Sequence, residues 1–160
     1  MRSTSITCLL AALFAAAVQA ADDDRRIHIN ADSMQLDINS GTSTYLGNVV
    51  FRRGDVELRG ERIVIDDRAG DRRVRVSGDP ARFEQTTAAT RASARDMLYE
   101  ERSGILTLQQ DARLDHNNQL VESQQIRYNT VEKSLLAGAS QDSGDKGRVN
   151  IILDTGEGDR

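Results

Sequence analysis

From Ile27 onward, apolar side chains fall at every second position. The pairs are Ile27/Ile29, Met34/Leu36, Val49/Phe51, Val56/Leu58, Ile63/Ile65, Val74/Val76, Met97/Tyr99, Leu106/Leu108, Ala112/Leu114, Ile126/Tyr128 and Val149/Ile151, with Tyr45, Phe83, Val121 and Leu135 as single members. A period of two puts one face of a strand on a core and leaves the alternate residues polar. Between the apolar pairs stand Asn39-Ser40-Gly41, Gly47-Asn48, Arg53-Gly54-Asp55, Ala69-Gly70-Asp71, Ser77-Gly78-Asp79-Pro80, Ser103-Gly104 and Asn117-Asn118. These residue types favour tight turns, and their spacing of about 8–12 residues predicts hairpins, hence an antiparallel all-β fold. Only Arg91 to Tyr99 has the composition of a short helix.

That segment is read as a strand because the chain repeats itself. Laying residues 31–66 on 94–129 without a gap makes Ala31/Ala94, Met34/Met97, Ser40/Ser103, Gly41/Gly104, Thr44/Thr107 and Ile63/Ile126 identical. The apolar parity is kept as well: Leu36 falls on Tyr99, Tyr45 on Leu108, Phe51 on Leu114, Leu58 on Val121 and Ile65 on Tyr128. The repeat partner of the Arg91 segment, NADSMQL, is a poor helix former. One strand–turn–strand unit used twice predicts stacked hairpins in an elongated architecture.

The first residues follow a different rule. Met1-Arg2 precedes an apolar run from Ile6 to Val18, shorter than the roughly 20 residues that a bilayer span takes, and Val18-Gln19-Ala20 offers a cleavage site. Residues 1–20 are therefore expected to be a removed signal peptide, residues 21–153 a single domain, and residues 154–160 a tail with nothing to bury. The only cysteine, Cys8, lies in the apolar run, so no disulfide or thiolate ligand is expected after cleavage. The precursor has a net charge of −4; loss of Arg2 leaves 20 Lys and Arg against 25 Asp and Glu, or −5. An acidic chain with interspersed charges is a solvated surface and a poor partner for nucleic acid.

Chemistry-bearing residues are sparse. The two histidines, His28 and His116, stand far apart and are expected as solvated or edge-strand residues. Glu100 and Glu101 are expected on opposite faces of a strand, and no nucleophile elbow, phosphate loop or zinc motif occurs. The chain is accordingly read as a non-enzyme without a cofactor or metal. What remains is the apolar face itself, which by composition serves equally as plain core or as a lipid-binding groove.

The wording and order of several segments narrow the choice. IHINADSMQLD, SGTSTYLGNVVFRRGDVELRGERIVID, GDPARFEQ, ASARDMLYEERSGILTLQQDARL, ESQQIRYN and GRVNIIL together resemble the successive strands of the LptA/OstA family over about residues 25–153. The strongest elements are Gly47 to Val50 and Gly78 to Phe83. Gln110-Asp111 departs from the Gly-Asn that the family more often repeats there, which weakens the turn assignment at that point.

The resemblance implies an open, V-shaped antiparallel β jelly roll of about 16 short strands. It also implies a periplasmic protein that conveys lipopolysaccharide, bridging an inner-membrane LptC-like component at its N-terminal edge to an outer-membrane LptD-like translocon at its C-terminal edge. The family's lipid-contact roles fall on Ile27, Ile29, Phe83 and Tyr99, with Met34, Leu36, Met97 and Leu108 as further inward positions. The outer strands, Arg25 to Ala31 and Arg148 to Leu153, become docking edges through Arg25, Ile27, Ile29, Val149, Ile151 and Leu153, and pairing of unlike edges gives a head-to-tail homo-oligomer. Competing readings are the inner-membrane sister component, the soluble domain of the translocon, a cell-envelope scaffold with a closed core and no lipid cargo, and a hydrolase. The sister component should keep its N-terminal helix and the translocon needs a barrel, so the short chain and its cleavable leader weigh against both.

Overall fold

A computed structural model describes residues 26–68, 70–138 and 148–153. The expected signal peptide, Arg25, Ala69 and the expected tail lie outside them. Among the described residues, ten strands form one antiparallel sheet: β1 (Ile27–Asn30), β2 (Ser33–Asp37), β3 (Thr42–Arg53), β4 (Val56–Arg68), β5 (Asp71–Gln85), β6 (Thr90–Glu100), β7 (Ile105–His116), β8 (Gln119–Asn129), β9 (Ser134–Gly138) and β10 (Asn150–Leu153). The segment with helical composition, Arg91 to Tyr99, lies inside β6. The period of two outweighs its intrinsic helix propensity because the apolar face can be buried only as a strand.

The strands from β3 to β8 are longer than their sequence suggested, since two of the expected turns do not reverse the chain. Gly47-Asn48 lies within β3 and Ser77 to Pro80 lies within β5. Gly47 and Asn48 take positive φ, and the pairing with β4 slips between Leu46 and Val49. That is a bulge, which bends a strand while the ladder resumes on either side. Between β5 and β6 the slip falls at Ser77/Ala81, where Pro80 has no N–H to offer a ladder. Slips at Arg59/Arg62, Ser93/Asp96 and Gln109/Ala112 lie at the same level of the neighbouring strands.

These aligned bulges fold the sheet along a line and make two walls. One wall contains β1, the adjoining segments of β3 to β8, and β10; the other contains β2, the remaining segments, and β9. Six long strands thus serve both walls, so ten strands stand where the resemblance implied about sixteen short ones. The result is an open β jelly roll.

The sequence repeat has a structural counterpart at the same offset. Residues 42–53 of β3 fall on residues 105–116, which are β7, and the bulge at Gly47-Asn48 falls on Gln110-Asp111. Gln110 and Asp111 also take positive φ, and the register slips between Gln109 and Ala112. The departure from Gly-Asn therefore leaves the bulge intact. Asp is one of the residue types that tolerate the left-handed region.

Candidate functional site

Cross-strand register turns the alternating residues into continuous rows across each wall. On the β2 wall, Met34, Tyr45, Ile63, Val76, Met97, Leu108, Ile126 and Ala137 pair one to the next from edge to edge. A second row runs Leu36, Ser43, Ile65, Val74, Tyr99, Leu106, Tyr128 and Leu135. On the β1 wall the matching row is Ile29, Phe51, Leu58, Phe83, Ala92, Leu114, Val121 and Ile151. The rows of the two walls share one buried cluster. Phe83 on one wall faces Tyr99 on the other with ring centroids 6.0 Å apart and a 54° tilt.

Next to the bend, Val49 on β3 is followed across the sheet by small inward residues: Gly60, Ala81, Ala94, Ala112 and Ser123. They let the walls converge. At Gly60 an added Cβ would stand 2.6 Å from Val76 Cγ1 and 2.8 Å from the Ser77 carbonyl oxygen, so the fold line itself excludes a side chain there.

The rows change character along their length. Phe83, Met97 and Leu108 are fully buried, while Ile27, Ile29 and Tyr99 are half-buried against the same cluster. At the ends, Met34, Leu36, Leu135, Ile151 and Leu153 are 40–58 % exposed. The expected lipid-contact residues therefore share one inward face, but their exposures differ. Val149 is exposed just before β10, and Ile151 and Leu153 point inward from it.

Polar groups close the mouth, where the walls meet opposite the bend. Thr90 Oγ1 lies 2.8 Å from His116 Nδ1 and 3.5 Å from the Tyr128 hydroxyl, and it donates to the Ala88 carbonyl at 3.1 Å. The His116 and Tyr128 rings are 6.0 Å apart. His116 is thus half-buried in a cluster that ties one wall to the other, on a strand between β6 and β8, in contrast to the solvated or edge-strand position expected for it; the polar turn residues beside it hide its inward parity. Further along the mouth, Arg53 on β3 pairs with Glu101, and Lys133 Nζ reaches Gln85 Oε1 at 3.5 Å. Glu101 lies in the turn after β6, so it does not occupy the strand face expected of it. Burial pushes the Tyr99 phenol above its ordinary pKa, and a hydrogen bond with Thr130 and the Arg53 charge pull it partly back.

Sequence reasoning missed the mouth residues and the small-residue row. The row had a signal, since small residues occupy inward parity at the places where large apolar ones were due. The mouth had none, because its partners are remote in sequence.

The chain matches, over residues 28–134, the family described as the LptA/(LptD N-terminal domain) LPS transport protein. The chain belongs to that family. Within it, the chain is 30% identical to the lipopolysaccharide export system protein LptH of Pseudomonas aeruginosa PAO1, with 91% of this chain and 89% of that protein covered. It is 28% identical to the lipopolysaccharide export system protein LptA of Escherichia coli K12, covering 91% of this chain and 80% of that protein. The crystal structure of LptH, the LptA homologous periplasmic component of the lipopolysaccharide transport device of Pseudomonas aeruginosa, superposes with a TM-score of 0.76 at 26% identity, covering 83% of this chain and 98% of that one.

Proposed function

We propose that this protein is a non-enzymatic periplasmic carrier that holds the acyl chains of lipopolysaccharide between its two walls and bridges an inner-membrane export complex to an outer-membrane translocon. The observation that carries this reading is the set of largely apolar rows that run from one sheet edge to the other, interrupted at Ser43, with Met34, Leu36, Leu135 and Ile151 exposed at their ends. Moving an acyl chain of roughly ten methylenes into water costs on the order of 8 kcal/mol, at about 0.8 kcal/mol per methylene. A continuous apolar trough offsets that cost at every point, so passage is nearly level in energy and its direction comes from a partner.

The edges extend the same logic to assembly. Among the described residues, β1 and β2 at one edge and β9 and β10 at the other each have a single neighbour, and an unpaired edge is a template for strand addition. A related sheet docked at either edge prolongs the rows into the next molecule. Ile27 and Ile29 belong to the N-terminal docking edge, Val149, Ile151 and Leu153 to the C-terminal one, and unlike edges joined together give a head-to-tail oligomer.

A second reading, a scaffold with a closed core, is favoured by the full burial of Leu58, Ile63, Leu106, Leu108 and Ile126 in the middle of the rows. The carrier reading requires the walls to part about the small-residue bend. Photo-crosslinkers placed at Met34, Tyr99 and Ile151 in Gram-negative cells separate the two. Inward positions should capture lipopolysaccharide while the outward Gln35 and Arg75 do not; capture at neither set, or equally at both, overturns the carrier reading.

A further inference from the structure

The mouth holds a cavity of about 530 Å³ between the walls, with Phe51 and Val56 from one wall, Val74 and Tyr99 from the other, and Arg53, Asp55 and Glu101 on its rim. Its floor is apolar and its rim is charged, which is the arrangement an amphiphile requires. The rim charges are not equivalent. Asp55 takes a hydrogen bond from Thr87. Glu101 accepts from Arg72 Nη1 through Oε2 at 3.2 Å and turns its other oxygen, Oε1, to Arg53. Arg72 also pairs with Asp67 at 2.6 Å. Arg53 is the cation whose anion stands on the opposite wall.

We propose that Arg53 recognises the phosphate of an amphiphile at the groove mouth, exchanging Glu101 for phosphate oxygens as the acyl chain enters between the walls. This rests on the carrier reading above. A chain that passes between Val56 and Tyr99 parts the walls and draws Arg53 away from Glu101. Once separated, Glu101 keeps Arg72 and gains water. Arg53, about a third exposed, is left facing water and Asp55 on the same rim, and a guanidinium at the edge of an apolar cavity gains from a close anion. A phosphate beside the acyl chain restores its partner, and the planar guanidinium fits two phosphate oxygens at once. The ligand class is therefore an acylated molecule bearing a phosphate monoester or diester, and a lipid without phosphate bears the full cost of opening.

The test measures binding of four probes to the full chain: bisphosphorylated lipid A, dephosphorylated lipid A, phosphatidylglycerol and inorganic phosphate. Wild type should favour the bisphosphorylated form over the dephosphorylated one by at least roughly tenfold, the scale of one charge-assisted hydrogen bond. Arg53→Gln should abolish that preference by weakening only the phosphorylated lipid, and Arg53→Lys should restore part of it. Glu101→Gln, which removes the pair that opening must break, should tighten both forms of lipid A. Phosphatidylglycerol bound with the same dependence on Arg53 supports recognition of phosphate chemistry in general, and inorganic phosphate bound as tightly as lipid overturns the amphiphile assignment. Equal binding of the two forms of lipid A overturns this proposal alone, whereas no binding of either overturns the carrier reading and this proposal with it.

Discussion

The two edges of the sheet end the same apolar rows in different ways. At the N-terminal edge, Ile27, Ile29, Met34 and Leu36 point inward, while the alternate residues His28, Asn30, Gln35 and Asp37 are polar. At the C-terminal edge, Leu135, Ile151 and Leu153 point inward, but Leu136 and Ile152 on the outer faces are also apolar, 72% and 52% exposed. At the first edge β1 is half-buried and β2 exposed, and a partner need only extend their inward rows. The second carries apolar side chains on both faces, so a partner that merely continues the sheet leaves two of them wet. Both ends expose apolar side chains, Ile38 and Leu46 beside β2 among them, but only β9 and β10 carry them on both faces of the edge strands, so this end gains more from being covered.

Between the edges, the rows do a different task, and substitution there affects both ends alike. Phe83 is 1% exposed, so Phe83→Ala should cost about 3–5 kcal/mol in urea unfolding through lost burial and the cavity left behind. A loss under about 1 kcal/mol would mean that the walls are not packed against each other at the Phe83–Tyr99 contact. For the same reason a charge at Phe83 tests the core before it tests lipid binding.

At the C-terminal end the effect shifts from folding to association. Ile151→Asp, at a position more than half exposed, should leave stability within about 1 kcal/mol of wild type. Sedimentation should nevertheless show head-to-tail association weakened by at least roughly tenfold, the scale of losing one buried anchor. Association unchanged by this substitution would remove β10 from the docking edge.

The smallest effect isolates the outer faces. Leu136→Thr combined with Ile152→Thr should change stability by no more than about 0.5 kcal/mol, yet lower the binding of a hydrophobic fluorescent probe to the isolated protein. The reciprocal pair at the other edge, His28→Leu with Gln35→Leu, should raise it. If neither pair moves the signal, the chemical difference between the edges has no consequence in solution.

Much of this was legible in the chain. Alternation at period two is a local property, and it identified the strands from Ile27 to Leu153, including β6 against its helical composition. Asn39 to Gly41, Gly54, Gly104 and Asn117-Asn118 do reverse the chain, as turn chemistry predicts. The repeat places β3 on β7 from the order of residues alone. Turn chemistry misled at Gly47-Asn48 and at Ser77 to Pro80, because a positive φ or a proline serves a bulge as well as a reversal, and only pairing with neighbouring strands decides between them.

The sequence by itself determined that this is an antiparallel β protein with one apolar face, since each strand's in-and-out pattern is written in adjacent residues. It also determined most of the large inward residues, down to Met34 and Leu36 at one end and Ile151 at the other. Only the tertiary structure decided that the bulges align into a fold line, that the middle of the rows is closed while their ends are open, and that Arg53 meets Glu101 and Thr90 meets Tyr128 across the mouth. Those contacts join opposite walls of a bent sheet, and no local period records which distant residues a bend brings together.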